Sequence, residues 1–271
     1  MATELADTQV DGCSMTRSVI SLSGGMDSTC LLLRIIAEGG KVSCLSYDYG
    51  QKHSIEIQRA RDNISYLSNK GYEAEHIVVD LKSAMKSLSS ALTSEEIDVP
   101  EGHYESEQMK QTVVPNRNAI FSSILYGHAL STSISEDCDV RIALGVHSGD
   151  REIYPDCRPE FYESLERSFS LGNWGSERVS FYLPYISGDK ATILQDALES
   201  CRSLGIDFDT VLANTNTSYN PDKQGRSSGR SGADVERVLA FHRIGRKDPL
   251  EYVDDWVRVL EYALEQDRKC L

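Results

Sequence analysis

The sequence predicts an α/β fold in which a Rossmann-like parallel sheet carries helices on both faces, with a small, mainly helical C-terminal region after it. Short apolar runs alternate with amphipathic stretches long enough to be crossover helices, which parallel strands require. A Ser-Gly-Gly turn joins the first apolar run directly to the first helix. The chain has 271 residues, 40% of them apolar and only 7 proline, enough to bury one good core and unlike a disordered, collagen-like or disulfide-stapled protein.

The elements follow in order. Ser18-Val19-Ile20-Ser21-Leu22 reads as a buried strand, and Gly24-Gly25 opens a helix over 28–38 that Gly39-Gly40 ends. Residues 42–47 form the second strand. In 53–70, Ile55, Ala60, Ile64 and Leu67 share one helical face, and 74–79 is the third strand. The stretch 83–111 is polar and weakly periodic, an excursion of the kind that often carries a lid. Beyond it the pattern gives a helix at 118–133, a strand at 140–146, a helix at 160–171, a strand or edge at 179–183 and a helix at 190–204. A polar stretch at 214–234, rich in Ser, Gly, Asn and Arg, precedes a last helix over about 249–266. The chain thus divides into a polar tail (1–15), a nucleotide-binding domain (16–205) and a C-terminal region (206–271), without internal repeats.

Charge and cysteine usage exclude several classes. With 28 Lys+Arg against 42 Asp+Glu the net charge is −14, whereas a protein that tracks a phosphate backbone carries a basic surplus, so no nucleic-acid partner is expected. No run of about 18 apolar residues is present, which excludes a helical membrane span. The first 14 residues lack a basic and an apolar leader segment, so a cytoplasmic protein is expected. The cysteines Cys13, Cys30, Cys44, Cys138, Cys157, Cys201 and Cys270 are odd in number and scattered with no CxxC pair, as reduced thiols are.

The chemistry starts at Ser21-Leu22-Ser23-Gly24-Gly25-Met26-Asp27-Ser28. Two glycines between a strand and a helix let backbone amides approach an anion, and the helix dipole favours its charge. The segment lacks the GK[ST] ending of P-loop NTPases and is not the GxGxxG of dinucleotide sites; the plainer reading is a tight turn without ligand. SGGxDS resembles the pyrophosphate loop of the N-type ATP pyrophosphatases, proteins of the adenine nucleotide alpha hydrolase-like fold that split ATP between its α and β phosphates and leave AMP on a substrate oxygen. The resemblance implies ATP and Mg2+ as cofactors, Ser23, Gly24, Gly25 and Ser28 on the pyrophosphate, and Asp27 as a Mg2+ ligand. Asp27 also reads as a plain helix cap.

Four further segments narrow the resemblance: Tyr47-Asp48-Tyr49-Gly50-Gln51 with His53 and Glu56; Val114-Pro115-Asn116-Arg117-Asn118-Ala119-Ile120-Phe121; Tyr154-Pro155-Asp156-Cys157-Arg158-Pro159-Glu160-Phe161; and Arg237, Ala240, Phe241, Gly245, Asp248 and Pro249. In this order after SGGxDS they look like the 7-cyano-7-deazaguanine synthase family, which converts 7-carboxy-7-deazaguanine to a nitrile with ammonia and two ATP. The resemblance implies a homodimer. It places Tyr47, Gly50, Gln51 and Gly145 about the adenosine, Arg117 and Asn118 on phosphate or carboxylate oxygens, Asp156 on the guanine-like N–H edge, Arg158 on the substrate carboxylate or a phosphate, Phe161 against the substrate, and Lys190 on a phosphate. Catalytic roles fall to Asp27, Ser28, Arg117 and Lys190. Structural ion pairs for Arg117 and Arg158, and a solvated Lys190, are the plainer readings; Cys157 is read as packing, since adenylate chemistry needs no thiol.

One departure stands out. The family carries a structural zinc held by four thiolates, and the corresponding positions here are Ser218, Ser228, Ser231 and Asp234. Serine hydroxyls are poor zinc ligands, so no zinc is expected and 220–232 should be a flexible loop beside the site. The rebuilt wall leaves the amine acceptor open between ammonia and an amine of a partner protein, as in the conjugation expected of zinc-free relatives in bacterial anti-phage defence. A tRNA-modifying pyrophosphatase is disfavoured by the missing basic region and CxxC thiols. A non-catalytic nucleotide-binding subunit is disfavoured by the intact loop.

Overall fold

The computed structural model describes residues 17–51, 55–88, 90, 113–147, 149, 154–218, 221–222 and 224–270. The tail 1–15 and most of the 83–111 excursion lie outside them. The sheet comprises β1 (Arg17–Ser21), β2 (Lys41–Asp48), β3 (Glu75–Asp80), β4 (Val140–Ala143) and β5 (Val179–Tyr182). The helices are α1 (Met26–Ala37), α2 (Ile55–Asn69), a single turn α3 (Lys82–Met85), α4 (Arg117–Glu136), α5 (Pro159–Gly172), α6 (Lys190–Leu204), α7 (Phe208–Ala213), α8 (Gly232–Arg243) and α9 (Trp256–Cys270).

All strands are parallel, in the order β3-β2-β1-β4-β5, so the winding reverses between β1 and β4. Strand alternation sends neighbouring residues to opposite faces. Ile20, Cys44 and Ala143 pack with α1, α2, α6 and α7, whereas Val19, Leu45 and Ile142 pack with α4 and α5. Helix α1 is covered on several sides, with Leu31, Leu32, Leu33 and Ile35 all fully buried. Each turn that leaves a strand at its carboxyl end therefore opens onto one rim, and the gap between β1 and β4 is where such sheets bind ligands.

The structure differs from the sequence expectation in three places. β4 stops at Ala143 instead of reaching 146, because its continuation leaves the sheet to lie against α1: a Cβ on Gly145 would sit 3.2 Å from Asp27 C and O. Helices α7 and α8 were not anticipated. Helix α8 starts at a capping box in which Ser231 Oγ accepts from Asp234 N and the Asp234 side chain accepts from Ser231 N. The last helix begins at Trp256 and not near 249, since Asp248 and Leu250 are drawn into the interior around Arg237.

Candidate active site

The loop after β1 is a backbone cradle. Gly24 has φ +87°, and a Cβ there would lie 2.0 Å from the carbonyl oxygen of Glu56 on α2, so only glycine fits this approach. Gly25 is the N-cap of α1 and offers no side-chain cap, which leaves the first helical amides without side-chain acceptors. Ser23 and Ser28 close the turn: Ser23 N donates to Ser28 Oγ (3.2 Å), the two hydroxyls are 3.0 Å apart, and Gly25 N donates to Ser23 Oγ at 3.2 Å. An anion seated there meets amides, two hydroxyls and the positive end of a helix.

Behind the loop Asp27 faces a buried cluster contributed by three further segments. Lys190 Nζ, at the start of α6, lies 3.0 Å from Asp27 Oδ2, 2.9 Å from His147 Nε2 and 3.3 Å from Glu236 Oε2 on α8. Burial works against the charge on Asp27, but Lys190 and then His147 outweigh it and hold the carboxyl below the usual carboxylate range. Its other oxygen, Oδ1, is buried without a hydrogen-bond partner among the described residues. Neither His147 nor Glu236 was singled out from the sequence; the position of His147 just past the carboxyl end of β4 is the signal that marks it.

Two adjoining clefts share Ser21, Ser23, Asn118 and Phe121. The first, about 190 Å³, adds Asp27, Ser28, Gly145 and Tyr162. The second, about 230 Å³, adds Tyr47, Tyr49, Gln51, Glu56 and Arg117. Tyr47 is stacked on Phe121 with ring centroids 4.0 Å apart, and Tyr47 Oη donates to the Phe121 carbonyl. Arg117 and Asn118 reach the cleft because Asn116, in the left-handed region at φ 59°, turns the chain sharply into α4. Burial pushes the Glu56 carboxyl up to about 7 against the opposing charge of Arg117 and a hydrogen bond from Asn216.

Other expected site residues are placed differently. Leu22 is a core residue whose N–H donates to Leu45 O and whose carbonyl accepts from Ser46. The Met26 side chain is in the core, while its backbone amide is the first of α1. Gly50 lines neither cleft; at φ +80° it forms the turn that Gln51 staples by accepting from Tyr49 N and donating to Tyr47 O. Asp156, Arg158 and Phe161 line neither cleft. Their segment abuts the rim, where Asn118 Nδ2 lies 3.9 Å from Cys157 Sγ, and Asp156 Oδ1 is buried without a partner. Lys190 is buried among carboxylates and the His147 imidazole, not solvated. Cys30, Cys44, Cys138, Cys157 and Cys201 form no disulfide.

Within the expected flexible loop at 220–232, the described Ser227, Ser228 and Ser231 are held by a carboxylate. Asp234, fully buried, accepts from Ser227 Oγ (2.6 Å), Ser231 Oγ (2.8 Å), Ser218 Oγ (3.0 Å), Ser231 N (3.2 Å) and Ser228 Oγ (3.4 Å). Burial drives its pKa up and these donors pull it back only in part. One carboxylate ringed by neutral hydroxyls fits no four-ligand zinc site, because its oxygens are already filled by donors and, among the described residues, no metal-holding group of His, Cys, Asp or Glu is present.

A parallel sheet whose winding reverses at a Ser-Gly-Gly turn, with an uncapped helix start beside a cleft, defines a doubly wound α/β protein with a candidate anion-binding turn. Within that class, the chain belongs to the family of the queuosine biosynthesis protein QueC, whose model matches residues 17–245. It is 43% identical over 236 residues to the 7-cyano-7-deazaguanine synthase of Alteromonas mediterranea, covering 86% of this chain and 97% of the relative. It is 38% identical over 234 residues to 7-cyano-7-deazaguanine synthase 1 of Colwellia psychrerythraea, with the same coverages of 86% and 97%. Among solved structures it resembles NMN synthetase from Francisella tularensis, at 13% identity and TM-score 0.43 over 95% of this chain and 87% of that one. Among the described residues no helix is long and apolar enough to cross a membrane.

Proposed function

We propose that this protein is an ATP-dependent C–N ligase that adenylates 7-carboxy-7-deazaguanine and passes the activated acid to an amine, with ammonia giving the amide and then the nitrile. The observation that carries this reading is the placement of the Ser23, Asp27, Ser28 cradle and of Arg117 and Asn118 on two adjoining clefts that share Ser21, Ser23, Asn118 and Phe121. Family membership and the names of the relatives support the substrate class.

A carboxylate is a poor acyl donor, and transfer of AMP to one of its oxygens makes that oxygen a leaving group. The acid oxygen attacks the α-phosphorus, the bond to the β-phosphate oxygen breaks, and pyrophosphate leaves into the amides of Gly25 and α1 and the hydroxyls of Ser23 and Ser28. Arg117, with a planar fork of donors, meets the carboxylate or α-phosphate. The amine then attacks the acyl carbon and AMP departs. A second ATP activates the amide oxygen, whose loss with AMP leaves the nitrile. Asp156 and Arg158, on the rim beside Asn118, receive the deazaguanine edge and carboxylate.

The orphaned Asp27 Oδ1 suits a hard cation completed by phosphate oxygens. Among the described residues no group of three acidic, histidine or cysteine side chains would hold a metal without them. When bound there, Mg2+ spreads the charge developing on the leaving pyrophosphate. Lys190, tied to Asp27, orients that carboxylate and balances its charge.

The test is to incubate the purified protein with Mg-ATP and 7-carboxy-7-deazaguanine, with and without ammonia, following AMP and the masses of small molecules and co-purified proteins. AMP with an amide or nitrile supports the reading. AMP with mass added to a protein moves the acceptor to a protein amine, and no AMP overturns the assignment in favour of a non-catalytic subunit.

A further inference from the structure

The amine step needs a proton acceptor, because the nitrogen that bonds to the acyl carbon carries a proton it must lose before AMP can leave. We propose that Glu56 is this acceptor: its carboxylate, on the first turn of α2, lines the Arg117 side of the cleft. The inference rests on the proposed ligase function and assigns a residue that the sequence reading left without a role.

The geometry supports it in three ways. Among the described residues lining the second cleft, Glu56 is the one carboxylate, Asp27 lying in the adjoining one. Its position is rigidly tied to the phosphate loop, since the Glu56 carbonyl occupies the space that any side chain at Gly24 would need. The backbone from which its side chain extends is thus fixed beside the loop that carries Ser23. The groups that face it from neighbouring elements are Arg117 at the start of α4, Tyr49 after β2 and Asn216 after α7, with no second carboxylate among those interactions. A base works best when its pKa lies near the working pH, and burial raises Glu56 to about 7.

The step balances. The nitrogen lone pair forms the C–N bond, an N–H proton passes to the Glu56 carboxylate, and the bond between the acyl carbon and the AMP oxygen breaks with its electron pair leaving on AMP. Glu56 then returns the proton to solvent. In the second cycle the amide nitrogen loses two protons, one to solvent as its oxygen is adenylated and one to the Glu56 carboxylate as the C–O bond breaks with its electron pair leaving on AMP and the nitrile forms.

The experiment compares wild type, Glu56→Gln and Glu56→Asp in two assays on the full chain: acid-dependent exchange of pyrophosphate into ATP, which reads activation, and amide formation at constant free ammonia. In Glu56→Gln the ratio of amide formation to exchange should fall by roughly 100-fold, the low end of general-base contributions. Glu56→Asp should recover part of it. Wild-type amide formation should rise with pH through about 7 while exchange does not, and that rise should vanish in Glu56→Gln. An unchanged ratio, a parallel loss of both activities, or a rise that persists in Glu56→Gln would overturn the base role. A flat wild-type profile does the same without any variant, should Glu56→Gln not fold. A wild-type protein without acid-dependent exchange removes the proposed function itself, and the base role with it.

Discussion

Substituting Asp234 by alanine tests whether a buried carboxylate holds the C-terminal region together without metal. The wild-type side chain accepts four serine hydroxyls and the Ser231 amide while fully buried. Removing it abolishes half of the α8 capping box, worth about 1 kcal/mol. It also strands buried donors at roughly 1–3 kcal/mol for each that finds no new partner. Rotatable hydroxyls recover part of this, and the relief of an unfavourably buried charge recovers more, because burial raises the Asp234 pKa. The balance is about 3 kcal/mol, which at roughly 2–4 °C per kcal/mol for chains of this size lowers Tm by about 6–12 °C. Asp234→Asn keeps one acceptor oxygen and should lose about half as much. The assay is a thermal melt of wild type and both variants, with and without EDTA, beside metal analysis of the purified protein. An Asp234→Ala melt within about 1 °C of wild type, or a wild-type melt that EDTA lowers, would refute the reasoning.

Gly24→Ala places a methyl group on the Glu56 carbonyl and forces a left-handed residue, a penalty of about 1–2 kcal/mol before the clash is relieved. The expected result is loss of pyrophosphate exchange with a lowered Tm, and retained exchange would show that the loop is not the phosphate cradle. The Asp27 carboxyl has a lower pKa in the fold than in the unfolded chain. Its pairing with Lys190 therefore stabilises fully above about pH 4, the unfolded value, and is lost as pH falls toward the folded one. Urea unfolding of wild type should weaken over that acidic window, and Asp27→Asn should flatten the dependence.

How legible these features were in the sequence depended on the range of the interactions that make them. The Ser23–Ser28 loop and the five strands are local patterns, and their boundaries in the structure fall within a few residues of the pattern. Helix α8 was hidden for a physical reason: it is buried on two sides, with Val235, Val238 and Leu239 against α9 and Ala240 and Phe241 in the main core, so no single apolar stripe marks it. Its charged residues Asp234 and Arg237 interrupt the apolar pattern, yet both are fully buried. The partners of Lys190 were equally illegible, because Asp27, His147 and Glu236 reach it from segments that only the winding of the sheet brings together. The local work of motif residues was also hidden: the Leu22 backbone pairs with Leu45, and Gly50 takes a positive φ in the turn after β2.

The polar hubs of α8 bear on the active site through one short segment. Arg237 pairs with Asp248 at 2.6 Å and donates to the hydroxyls of Thr215 and Thr217, while Asp234, one turn earlier on the same helix face, holds Ser218. Between these anchors Asn216 N donates to the carbonyl of Gly24 at 2.9 Å. A buried ion pair adds little net stability over an apolar replacement, but breaking it leaves a stranded charge, so such pairs specify position more than they stabilise. Here the position they specify is that of residues 215–218, which press on the phosphate loop from behind. Helix α8, distant in the chain from the Ser-Gly-Gly turn, thus helps to fix the segment behind it, and the serine–aspartate cluster at its start does so through hydroxyls, a carboxylate and backbone amides.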